Sequence, residues 1–110
     1  MSRLITTGRF TLDYAKNLVG APEDREKAVR KLVEAAGGKL IGFYFTTGDS
    51  DFMLIVEGES ESIIAAMLAT ATTGMVTDVS TVRAWTGAEF KAIAEKAAKL
   101  KGDYRPPGKK

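Results

Sequence analysis

The chain contains neither cysteine nor histidine. Without cysteine it can form no disulfide, thiol nucleophile or thiolate metal site. Without histidine it lacks the commonest metal ligand, the usual haem ligand and the side chain best suited to proton transfer near neutral pH. Ser/His/Asp, Cys/His and zinc chemistries are therefore excluded, and no metal or cofactor is expected. Long apolar runs are missing too: no stretch approaches the ~20 residues that span a bilayer, and the first ten residues do not resemble a signal peptide. A cytoplasmic protein without a membrane partner is the expectation.

What remains is the composition of an ordinary domain, 110 residues with 45% hydrophobic and 27% charged. A domain of this length buries enough surface for one core but not for a deep enclosed cavity as well. The net charge of +2 is unevenly spread. Residues 96–110 hold six basic side chains against Asp103, or +5, whereas residues 1–95 hold ten basic against thirteen acidic, or −3. A mildly acidic body thus carries a basic end.

Residues 3–10 alternate and are rich in β-branched side chains, as a first strand would be. Thr11 caps a short helical turn with Leu12, Ala15, Leu18 and Val19 on one side, closed by Gly20. Pro22 restarts a helix that runs to Ala36, with Glu23–Lys27 and Glu26–Arg30 at i,i+4 spacing. Gly37-Gly38 stops it. Residues 39–47 and 51–57 flank Gly48-Asp49-Ser50 as a hairpin. Ile63, Ile64, Met67, Leu68 and Ala71 mark a helix over residues 60–73. Residues 76–85 alternate as a fourth strand. Thr86 and Glu89 have capping-box spacing before Phe90, Ile93, Ala94, Ala97 and Leu100 of a closing helix.

The order βαββαβ plus a C-terminal helix implies an α+β, ferredoxin-like fold: a four-stranded antiparallel sheet with helices on one face. Residues 1–101 form the single domain and residues 102–110 a flexible basic tail. The third strand alternates Phe52, Leu54, Val56 with Met53 and Ile55, and the second alternates Ile41, Phe43, Phe45 with Leu40 and Tyr44, so the sheet is apolar on both faces. Helices cover one face. A second copy of the chain would cover the other, which predicts a homodimer or higher homo-oligomer.

The run from Gly37 through Phe43-Tyr44-Phe45-Thr46-Thr47-Gly48-Asp49-Ser50-Asp51-Phe52 to Ile55-Val56-Glu57 resembles the GYD domain family of small bacterial and archaeal proteins. The resemblance begins at Phe10-Thr11 and reaches Arg83-Ala84-Trp85 and Glu89-Phe90. It implies a dimeric α+β barrel related to the ferredoxin-like fold, in a family without an assigned reaction. One departure stands out: Ser50 occupies the place of the tyrosine in the family's Gly-x-Tyr-Asp turn, so no role of that ring carries over.

Asp49 and Asp51 flank the hairpin tip, where aspartate ordinarily supports a turn; Asp51, the family's aspartate, is the better functional candidate. Tyr44, Arg83 and Trp85 lie on strands, and Arg9 shares a face with Thr7. If they face the space between two sheets, they offer an aromatic wall, a hydroxyl and a cation to a small anionic or carbonyl-bearing ligand. Tyr14, Lys16 and Asn17 follow the first strand near one rim of the sheet. The ligand-binding candidates are thus Arg9, Tyr14, Tyr44, Asp51, Arg83 and Trp85; no catalytic set is specified. An RNA-recognition role is disfavoured, because the third strand lacks the aromatic signature and the body is acidic. The sequence points to a homo-oligomeric small-molecule-binding or accessory protein using the inter-sheet space. The alternative is a cofactor-independent isomerase or oxygenase of the dimeric barrel kind, with Asp51 or Tyr44 as acid or base and Arg83 stabilising an anion.

Overall fold

The computed structural model describes residues 1–108. Its elements are β1 (Ser2–Phe10), α1 (Leu12–Gly20), α2 (Glu26–Ala35), β2 (Lys39–Phe45), β3 (Phe52–Gly58), α3 (Ser60–Ala71), β4 (Val76–Ala84), α4 (Gly87–Leu100) and a 3-10 turn (Lys101–Asp103). The strands form one antiparallel sheet in the order β2-β3-β1-β4. This is the ferredoxin-like arrangement expected from the order of elements, with α1 and α2 sharing the first crossover.

The core lies between one face of the sheet and two helices. Leu4, Leu40, Phe52, Leu54 and Val56 bury their side chains from the sheet, Val33 from α2, and Ile63 and Ala66 from α3. The α2 helix ends where Gly37 takes a φ of +78°. The Gly38 and Gly37 N–H groups donate to the carbonyls of Val33 and Glu34, each at 2.9 Å, satisfying two otherwise open acceptors. Gly38 must also lack a side chain, since a Cβ there would stand 2.9 Å from the Glu57 carbonyl oxygen. The chain can therefore pass from α2 directly into β2 against the end of β3.

Two bulges change the strand phases expected from simple alternation. In β2 the register slips between Leu40 and Gly42, so Leu40, Phe43 and Phe45 oppose Val56, Leu54 and Phe52 on the helix side. Ile41 does not share a face with Phe43 and Phe45 as a regular strand would require. In β4 the register slips opposite Gly8, at Asp78, whose φ is +51°. Phe10 faces Val76, Thr6 faces Thr81 and Leu4 faces Arg83 on the helix side, while Val82 and Ser80 pair with Ile5 and Thr7 on the other. Aspartate is among the few residues that accept this left-handed conformation at modest cost. The buried Thr6 hydroxyl is satisfied by that of Thr81 at 2.9 Å.

The sheet face away from the helices has no cover within the chain. Ile5, Met53, Ile55, Val82 and Ala84 lie on it, with Tyr44 57% exposed and its ring over Gly42. The cross-strand pair Arg3–Glu57, 2.7 Å apart, forms an ion pair on the same face. The molecule is elongated, 65 × 31 × 22 Å, with a radius of gyration of 18.4 Å. A compact chain of this length would have a radius near 13 Å. The α4 helix supplies much of the difference: none of its residues is buried, and its extensive contact is with the 3-10 turn that continues it. Among the described residues no helix is long and apolar enough to cross a membrane.

Candidate functional site

The hairpin that dominates the sequence pattern is held to β1 by Asp51. Its carboxylate Oδ2 accepts the Phe10 N–H at 2.9 Å, and its own N–H donates to the Gly8 carbonyl at 2.8 Å. The Asp51 carbonyl accepts the Thr46 N–H at 2.8 Å, and the Thr46 hydroxyl donates to the Ser50 carbonyl at 2.7 Å. The first two bonds join the turn to the end of β1, and the two from Thr46 close the hairpin itself. Asp51 therefore works as a clamp between strands, and its carboxylate is engaged by backbone.

Phe10, positioned by that clamp, anchors an aromatic cluster. Its ring stacks on Tyr14 of α1 at 4.4 Å with the planes within 2° of parallel. It also meets Phe45 edge-on at 5.5 Å and Phe52 at 6.1 Å, and Phe43 meets Phe45 at 5.0 Å. Thr11 holds the start of α1 in place: its hydroxyl accepts the Tyr14 N–H and donates to the Met75 carbonyl. Tyr14 is thereby fixed at the rim of the helix layer.

Beside Tyr14 a cleft opens between α1, the loop into α2, and the C-terminal end of α3. Its outer chamber measures about 530 Å³ and is bordered by Tyr14, Asn17, Arg25, Ala28, Thr73 and Met75. A narrower apolar chamber of about 90 Å³ continues inward between α2, α3 and the sheet, reaching Phe43, Leu54, Met67 and Val79. Tyr14, Arg25, Val29, Leu32, Thr70 and Val76 border both chambers, so they form one cleft. It exists because α1 buries none of its residues and stands off from the core that α2 and α3 share. A single chain thus contains a cleft of ligand size that is open to solvent, consistent with a length too short for a deep enclosed cavity.

The mouth is polar. Arg25 precedes α2, and its guanidinium pairs with Glu23, which lies before the helix and so does not pair with Lys27 as the i,i+4 spacing suggested. The bond to Glu23 raises the Arg25 pKa; burial opposes this and the Tyr14 hydroxyl adds to it. Arg25 is accordingly a permanent cation beside a phenol and the Asn17 amide. Farther in, only the Thr70 hydroxyl is polar among the residues named, and it donates to the Ala66 carbonyl at 3.0 Å. The site is amphipathic: a polar rim, where Arg25 and Glu23 pair beside Tyr14, over an apolar floor.

The six candidate residues do not form one constellation. Tyr14 lines the cleft. Tyr44 and Arg9 fall on the uncovered sheet face, whereas Arg83 pairs opposite Leu4 on the helix side. Arg83 cannot share the inter-sheet space with Tyr44, because the Asp78 bulge reverses the phase of β4 beyond it. Its guanidinium lies over the Trp85 ring at 5.0 Å, and Trp85 meets Phe90 of α4 edge-on. Glu57 takes Arg3, rather than Arg9 or Arg83, as its partner. Arg25 escaped sequence reasoning because an Arg among Glu23, Asp24 and Glu26 reads as a solvated helix start. Its position after Pro22, at the break between two helices, was the available signal.

A four-stranded ferredoxin-like sheet with a doubled first crossover and an amphipathic cleft under it defines a small α+β domain. Within that class the chain belongs to the GYD domain family, whose model matches residues 4–94. The match starts two residues into β1, spans the other three strands and ends partway along α4. A search of curated proteins finds no sequence match. Among the described residues no group of three or more acidic side chains is arranged to hold a metal ion.

Proposed function

We propose that this GYD-domain protein binds a small amphipathic molecule, with its apolar part between α2, α3 and the sheet and an anionic or hydrogen-bond-accepting group at Arg25 and Tyr14. The observation that carries this is the cleft itself. A volume of about 530 Å³ lies within the range of small-molecule sites, and a cation and a phenol converge at its mouth while its floor is apolar. The aromatic cluster around Phe10 favours ligands with a flat or branched hydrophobic body. Binding is favoured over catalysis by the engagement of Asp51 with backbone and by the pairing of Glu23 with Arg25, which leaves no free carboxylate in the cleft.

The protein acts as a homo-oligomer. Support comes from the uncovered face of the sheet, where Ile5, Met53, Ile55 and Val82 form an apolar surface of the kind that monomers rarely leave in water. A second sheet packed on it would enclose Tyr44 and Arg9 and form the α+β barrel that the resemblance implies.

The test is titration with a panel of small aromatic and branched-chain carboxylates, following backbone amide shifts by NMR. Shifts clustered at Tyr14, Arg25, Val29 and Thr70 support the cleft. Shifts confined to Tyr44, Met53 and Ile55 would transfer the ligand to the inter-sheet space, and no shift at millimolar concentration would remove this ligand class.

A further inference from the structure

Beyond the contact of Phe90 with Trp85, the apolar stripe of α4 is left unburied by its own chain. Phe90, Ile93, Ala94, Ala97 and Leu100 recur along one side of the helix, yet Phe90 is 55% and Leu100 63% exposed. The helix is nevertheless strongly specified. Thr86 and Glu89 form a reciprocal capping box: the Thr86 N–H donates to Glu89 Oε1 at 2.7 Å and the Glu89 N–H to Thr86 Oγ1 at 3.1 Å. An elbow of Arg83 over Trp85, and Trp85 against Phe90, sets its exit from β4. A capped 14-residue helix held clear of the body is marginal in water unless its stripe is buried.

Charge indicates what buries it. Residues 40–82 contain six acidic side chains and no lysine or arginine. Residues 87–110 carry seven basic against three acidic, or +4, and residues 1–86 nine basic against eleven acidic, or −2. Within the acidic stretch, α3 exposes Ile64 (51%) and Leu68 (67%) one turn apart, with Ala65 and Ala69 beside them and Glu59 and Glu61 at its start. That is an apolar helix ridge with an acidic end, complementary to an apolar helix stripe with a basic end.

Surface area agrees. The chain exposes 7967 Å², about 2,000 Å² more than the ~5,900 Å² of a compact monomer of its mass. A standard interface buries about 800 Å² per partner, so the excess is large enough for a stable association.

We infer that α4 is a clasp that docks on α3 of a second copy of this chain, its Phe90–Leu100 stripe on the Ile64–Leu68 ridge and Lys96 and Lys101 toward Glu59 and Glu61. The inference rests on the self-association proposed above but uses a different surface from the open sheet face. The family match ends at residue 94, so the second half of the clasp and its basic end lie outside the matched region.

The test is photo-crosslinking of the full chain carrying Phe90→p-benzoylphenylalanine, in an equal mixture of ¹⁴N- and ¹⁵N-labelled copies, with the sites mapped by mass spectrometry. Mixed-isotope cross-links to residues 60–71 are expected. Same-copy cross-links to the neighbouring Trp85 are expected with or without the clasp; between-copy cross-links confined to residues outside α3, or none between copies, would overturn it. Independently, Glu59→Lys/Glu61→Lys should raise the dimer dissociation constant about tenfold by sedimentation, equivalent to about 1.4 kcal/mol. Adding Lys96→Glu/Lys101→Glu should restore most of it; an unmoved constant contradicts the inference. Sedimentation separates the two claims, because a dimer without the cross-link removes the clasp alone, while a monomer removes self-association as well.

Discussion

If Asp51 is a clamp rather than a catalytic or binding group, its removal should lower stability and leave ligand affinity intact. In Asp51→Ala the Phe10 N–H loses its acceptor at 2.9 Å. A hydrogen bond to a charged group contributes about 1.5–3 kcal/mol, and because Asp51 is only half-buried we take about 2 kcal/mol. An unfolding entropy of about 2.1 cal/mol/K per residue gives about 0.23 kcal/mol/K for a chain of this length, so Tm should fall by about 9 °C. Asp51→Asn keeps a neutral acceptor, and the loss should be about half as large. Thermal unfolding followed by far-ultraviolet circular dichroism measures both variants. Carboxylate titration well below the lowered Tm then measures binding by folded protein. The order alanine, asparagine, wild type in Tm with unchanged affinity fits the clamp. A variant with wild-type Tm and lost binding or turnover would refute it and return Asp51 to the site.

Arg25→Gln should weaken binding of aromatic carboxylates about tenfold or more, since a charge-assisted contact is replaced by a neutral one, while Val29→Trp should abolish it by filling the cleft; both are read by NMR titration. Ile55→Glu places a charge on the uncovered sheet face and should convert the assembly to a smaller species by light scattering if that face is an interface. Asp78→Val should cost about 1–2 kcal/mol, because a β-branched residue is strained at a φ of +51°, whereas Asp78→Gly should unfold at or above the wild-type temperature. The Glu89 carboxyl is held below its ordinary value of 4.5, chiefly by the Thr86 N–H and then its hydroxyl, with weaker help from Arg3 and Arg83. A depressed folded-state pKa stabilises the start of α4 above pH 4.5 and loses that effect as pH falls toward the depressed value. The Glu89 and Thr86 amide shifts should therefore move below pH 4.5, and Glu89→Gln should remove that transition.

Elements with a strong local cause could be read directly from the chain. Gly37-Gly38 ends α2 because only glycine accepts the conformation and the close approach to Glu57. The capping box at Thr86 and Glu89 starts α4 through bonds three residues apart. The hairpin, the strand order and the acidic body with its basic end follow from residue types and their spacing. The candidate site was legible only at Tyr14 and Asn17. Single-residue bulges at Ile41 and Asp78 come from the pairing of β2 and β4 with their neighbours, and each reverses the faces of the residues beyond it. That is why Arg83 was grouped with Tyr44 although the sheet lies between them. The hydrogen bond of Asp51 to Phe10 spans forty-one residues and has no local signal.

Local sequence by itself therefore determined an α+β domain with one sheet, the end of α2 at its glycine pair, the capped start of α4 and the presence of an apolar stripe on α4, while α2 begins at Glu26 rather than at Pro22. Tertiary structure alone decided that α1 stands off from the core to open the cleft, that Arg25 meets Tyr14 at its mouth, and that α4 leaves the body. The division has a physical cause: helix caps and turns are closed by bonds within a few residues, whereas clefts and uncovered faces depend on which distant elements pack together.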